Sequence, residues 1–148
     1  MNSGTGEPWA PQVTLTIPAS ARYLVTARLV TADIASGIGM PIDVIEDLRV
    51  AVDEALTMLI TGLEDAAQST VTCQFGTTSE MIRVRVESSA PVALTPPSDG
   101  GYAWIVLDAV SDEFDVMQLP NATRISFERA SVAPVGQVGH RGTGHTRS

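Results

Sequence analysis

Asp47-Leu-Arg-Val-Ala-Val-Asp-Glu-Ala-Leu-Thr-Met-Leu-Ile60 is the stretch whose reading decides the fold. At helical spacing Val44, Leu48, Val52, Ala55 and Leu59 form one apolar stripe, and Asp47 and Glu54 fall together on another face. A glutamate in mid-helix beside a core-facing stripe can hold a water or a metal. It can equally belong to a solvated face, as most surface carboxylates do.

Upstream, Val13-Thr14-Leu15-Thr16-Ile17 alternates apolar and polar residues, as a half-buried strand does. Pro18 stops it, and Ser20 is placed to cap a helix running to about Ser36, closed by Gly37 and Gly39. Tyr23, Ala27, Val30 and Ile34 supply one side of that helix, with Leu24 and Val25 widening the stripe. Asp43 and Glu46 are spaced as a capping box for the second helix, which Gly62 ends.

Downstream, Val71, Cys73 and Phe75 alternate on one strand and Ile82, Val84 and Val86 on the next, around a turn at 76–79. The intervening Arg83, Arg85 and Glu87 imply that one face of the sheet is wet. Residues 88–101 read as a loop, 102–111 as a short apolar helix, and 114–118 with 123–128 as a closing hairpin. Helices gathered on one face of a mixed or antiparallel sheet make an α+β two-layer sandwich. Residues 1–11 are expected to be a flexible N-terminus, 12–130 one domain, and 131–148 a disordered tail.

At 148 residues, 44% hydrophobic and 18% charged, the chain can build a core that buries roughly 70% of its unfolded surface. A formal charge of −8 argues against direct contact with nucleic acid and suits a basic protein surface better. Neither a signal peptide nor an apolar run able to span a bilayer stands out, so a cytoplasmic protein without membrane contact is expected. The single cysteine, Cys73, reads as a buried structural thiol, and Trp104 and Tyr102 as core or rim aromatics. His140 and His145 flank Arg141 in a Gly-rich stretch with no further ligand, so no metal site is expected there.

Leu48 to Ala55 read Leu-x-Val-x-Val-x-Glu-Ala, the opening of a pattern that ends in Asn; here Met58 holds the Asn position. In this the segment resembles the N-box helix of the anti-sigma regulatory factors, RsbW-type serine-protein kinases of the histidine-kinase-like ATPase superfamily. The likeness extends over roughly residues 13–128 and is strongest to the actinobacterial branch that inhibits stress or sporulation sigma factors of the sigma-F type. It implies Glu54 as the general base of a kinase, with ATP and Mg²⁺ as cofactors in active members. Met58 removes the metal ligand, because hard Mg²⁺ takes oxygen donors and a thioether does not replace an amide oxygen.

The family's Asp-x-Gly-x-Gly turn, whose Asp holds adenine, aligns with Ser88, Ala90 and Val92, and all three depart from it. Gly101 and Ala103 stand where the family has the Gly-x-Gly that cradles phosphate, and half of it survives. The stretch between Pro91 and Gly101, the family's lid, is shorter than in active members. The resemblance therefore implies an anti-sigma factor, expected to work without a cofactor. It would hold a sigma factor until an anti-anti-sigma (STAS) protein displaces it. The resemblance also implies a homodimer and makes Arg22 and Arg28, on the first helix, candidates for partner contact. Two other readings remain open: an active kinase phosphorylating the STAS protein with Mg-ATP, and a structural subunit that has kept only the fold.

Overall fold

The computed structural model describes residues 10–94 and 101–131. Strand β1 (Val13–Pro18) leads through a 3-10 turn (Ala21–Tyr23) into helix α1 (Leu24–Gly37), and then helix α2 (Ile42–Gly62). A second 3-10 turn (Ala66–Gln68) precedes strands β2 (Thr70–Thr77) and β3 (Met81–Ser88), followed by helix α3 (Tyr102–Val110) and strands β4 (Glu113–Leu119) and β5 (Ala122–Ala130). The five strands pair antiparallel throughout, in the order β1-β2-β3-β5-β4. The architecture is the expected α+β sandwich, and every strand pair is antiparallel.

Alternation sets the two faces of the sheet. Val71, Cys73, Phe75, Ile82, Val84, Val86, Ile125 and Phe127 are buried and meet the stripe Val44, Leu48, Val52, Ala55 and Leu59 of α2, widened by Ile45, Ala51 and Leu56. Burial pushes the Cys73 thiol up to about 12, as suits a structural cysteine. On the other face, Arg83 pairs with Glu128 at 3.0 Å and Arg124 with Glu87 at 2.9 Å across neighbouring strands.

Three local expectations are corrected. Val25 does not join the core of α1: it is 51% exposed, and the buried side is Ala27, Thr31 and Ala35. Thr31 is tolerated there because its hydroxyl donates to the Ala27 carbonyl at 2.7 Å. Ser20 caps the 3-10 turn, accepting from the Arg22 amide at 3.3 Å, and Tyr23 belongs to that turn, one residue ahead of α1. The capping box at Asp43 and Glu46 does not form. Pro41, extended at φ −61° and ψ 154°, caps α2 without a side-chain bond, so the helix starts at Ile42; Glu46 instead pairs with Arg49 at 3.1 Å.

The turn between α1 and α2 is a Schellman motif. The Met40 amide donates to the Ala35 carbonyl (3.2 Å) and the Gly39 amide to the Ser36 carbonyl (3.0 Å), with Gly39 at φ +80°. Met40, buried against the core, supplies the hydrophobic contact that accompanies such a cap. This tight turn sets α1 and α2 side by side, and the Arg28–Asp53 ion pair joins them.

Candidate functional site

One flank of α2 presents Asp47, Glu54 and Met58, because these positions recur at helical spacing beside the buried stripe. Their environments differ. Asp47 accepts from Arg129 Nη1 of β5 at 2.9 Å, and the same nitrogen donates to the Val110 carbonyl at the end of α3 at 2.6 Å. This clamp ties α2, α3 and β5 together and satisfies one of the orphan carbonyls of α3. Glu54 has no hydrogen-bond or ion-pair partner among the described residues, and its pKa is raised, first by desolvation and then by the neighbouring Asp53 carboxylate. Met58 is half-buried against the core, as a flexible filler would be.

The end of β3 is arranged quite differently. Ser88 is buried; its hydroxyl accepts from the Thr123 amide at 3.1 Å and donates to the Ala90 carbonyl at 2.6 Å. Two residues on, the Val92 amide donates to Thr123 Oγ1 at 2.8 Å, and the Val92 carbonyl accepts from Gln118 Nε2 at 3.0 Å. Thr123 Oγ1 in turn lies 2.8 Å from Gln118 Oε1 and 3.0 Å from the Val92 carbonyl oxygen, and it can donate to either. Segment 88–92 is thus stitched to β4 and β5. Its Val92 side chain, only 1% exposed, lies against Gly62 at the end of α2, where an added Cβ would collide with Val92 Cγ1. An open cleft of about 730 Å³ runs beside this knot, lined by Gly62, Glu64, Asp65, Ser69, Gln118 and segment 90–94.

Gly101 caps α3, its carbonyl accepting from the Trp104 and Ile105 amides at 3.1 and 3.3 Å; Ala103 is half-buried in the first turn. Glu54, Ser88, Gly101 and Ala103 are not among the residues lining the cleft. Trp104 is a core residue stacked on Phe114 at 6.0 Å, whereas Tyr102 is 72% exposed. Of the two arginines on the first helical segment, Arg28 is engaged with Asp53, and Arg22 is exposed with its guanidinium 5.4 Å above the Tyr23 ring. No group of three or more His, Cys, Asp or Glu among the described residues is placed to hold a metal, and His140 and His145 lie outside those residues, as do most of segment 91–101, the N-terminus up to residue 9 and the tail from 132. No described helix is long and apolar enough to cross a membrane.

Thr123 and Gln118 are the residues that sequence reasoning missed. The signal was parity: Thr123 shares the inward side of β5 with Ile125 and Phe127, and Gln118 that of β4 with Phe114 and Val116. A polar residue such as Thr123, buried in an otherwise apolar inward row, points to a hydrogen-bond network, which the exposed Gln118 joins from the sheet edge.

Residues 17–128 match the family described as histidine kinase-like ATPase domain. The chain belongs to that family. In sequence it is similar to the serine-protein kinase RsbW of Bacillus cereus, 29% identical over 75 residues, which is 51% of this chain and 47% of that protein. The chain thus matches about half the length of this curated relative. In fold it is similar to the crystal structure of the RsbU and RsbW domains of a Mycobacterium tuberculosis protein. There the TM-score is 0.61 at 16% identity, covering 82% of this chain and 33% of that one. The likeness in sequence is thus to an RsbW kinase, and the likeness in fold shows the architecture alone.

Proposed function

We propose that the protein is an anti-sigma factor that sequesters a sigma factor by surface complementarity and releases it when an anti-anti-sigma (STAS) protein competes. The observation that carries this reading is the outer face of α1. Val25 (51% exposed) and Leu29 (62%) project to solvent beside Arg22, at spacings that align them along one side of the helical segment. Exposed aliphatic residues next to an exposed arginine suit a protein partner. The likeness to RsbW supports taking a sigma factor and a STAS protein as those partners. Exchange between them needs only differential affinity, and a tenfold preference corresponds to about 1.4 kcal/mol. The chain acts as a homodimer in the cytoplasm, without direct contact with nucleic acid or membrane.

Capture from the native lysate with tagged protein, followed by mass spectrometry, tests this reading. Recovery of a sigma factor, lost in Leu29→Glu, is the expected result. Repeated captures without any sigma factor would overturn it.

A second reading has one observation in its favour: Glu54 sits on its flank of α2 without a partner and with a raised pKa, as a general base should. In that reading the protein phosphorylates the STAS antagonist from Mg-ATP. Transfer of labelled phosphate that vanishes in Glu54→Gln would establish it; no transfer at any metal concentration leaves the binding function alone.

A further inference from the structure

The cofactor implied by the fold family is a nucleotide, and the residues present do not fit one. A purine held at the end of β3 needs an acceptor for its amino group and a backbone that lets it approach. Ser88 Oγ is already engaged with the Thr123 amide and the Ala90 carbonyl. The backbone of Val92 is fixed at both its N–H and its C=O by Thr123 and Gln118. Its side chain fills the space against Gly62, so closely that Gly62 has no room for a Cβ. The neighbouring cleft is lined by Glu64 and Asp65, whose negative charge disfavours an anion there.

We propose that segment 88–92 is itself the permanent occupant of the nucleotide pocket, so that partner binding by this chain is blind to ATP and ADP. The proposal rests on the anti-sigma reading for the word partner, and on the knot alone for the exclusion of nucleotide. Each departure has a place in it. Serine in place of aspartate closes the turn on itself, and valine in place of glycine plugs the space beside α2. Thr123 and Gln118 supply the donors and acceptors that make the closed turn self-sufficient. Loss of the metal ligand at Met58 then goes with a site that binds nothing, and exchange of partners runs on protein competition alone.

The test uses the full chain without substitution. Backbone hydrogen exchange at the Val92 and Thr123 amides is expected to be slow and unchanged by millimolar ATP or ADP with Mg²⁺. The melting temperature is expected to stay the same in those solutions, because a ligand that does not bind the native state shifts nothing. Rapid exchange at Val92, or a melting temperature that rises with either nucleotide, would overturn the proposal. These measurements need no partner, so they decide the point even if lysate capture recovers no sigma factor. Where capture succeeds, the dissociation constant is expected to be equal in ATP, in ADP and without nucleotide. A tenfold difference between ATP and ADP would also overturn it.

Discussion

The two ends of the candidate site make different use of polar groups. At the end of β3, Ser88, Thr123 and Gln118 bond to one another or to the backbone of segment 88–92, and Val92 fills the remaining space. Along the flank of α2, Asp47 is clamped by Arg129 but Glu54 has no partner among the described residues. A region whose polar atoms are mutually satisfied contributes stability and specifies one structure. A region with a desolvated, unpartnered carboxylate retains chemical potential at a cost in stability. This fold has turned one half of its site into framework and left the other half chemically open.

Breaking the knot should have the largest effect. Thr123→Val removes the acceptor of the Val92 amide and the hydroxyl shared with Gln118, leaving a buried N–H unsatisfied. The expected loss is about 2 kcal/mol, read by urea denaturation. A loss no larger than that of a surface substitution would mean that water replaces the threonine and that the knot is loose.

Gly62→Ala comes next and probes the plug by itself. The added methyl meets Val92 Cγ1, and with Val92 held at both backbone atoms the expected cost is about 1–2 kcal/mol. Val92→Ala should relieve it, so the double variant should be more stable than the two single losses added together. Simple additivity would show that Gly62 and Val92 do not press on each other in solution.

The flank of α2 is expected to be less sensitive. Arg129→Met removes a partly exposed ion pair to Asp47 and a bond to the last carbonyl of α3, with an expected loss of about 1 kcal/mol. The helical circular dichroism should fall slightly as α3 frays. A loss equal to that of Thr123→Val would put both regions on the same footing and erase the contrast.

What the sequence made legible follows the same division. Period-two and helical patterns located β1, β2, β3, α1 and α2, because burial of one face imposes that spacing directly on residues such as Val71, Cys73, Phe75 and Leu48. The side of α1 that faces inward was less legible. Ala27, Thr31 and Ala35 are small, and close packing selects them by size rather than hydrophobicity; Val25 and Leu29 look like core residues and lie outside. The knot was least legible of all. Ser88, Val92, Thr123 and Gln118 are 4 to 35 positions apart, and only tertiary pairing shows that their atoms satisfy one another. Asp43 misled because a good capping residue loses its role when the preceding proline already sets the extended entry to the helix.

The smallest effect, and the one with the sharpest sign, belongs to Glu54. Its pKa is raised above 4.5 in the fold, by desolvation first and Asp53 second, so the folded protein holds the Glu54 proton more tightly than the unfolded chain does. Stability from this group is therefore fully present below the unfolded value, falls as pH rises from there through the raised folded value, and stays low above it. Glu54→Gln has no such titration. The variant should match the parent in the acid range, gain on it through that window, and remain the more stable of the two at neutral pH by no more than about 0.5 kcal/mol. Parallel urea titrations across the window would read the difference. A variant less stable than the parent at neutral pH would mean that the ionised carboxylate is held by a favourable partner, and the open half of the site would then be framework as well.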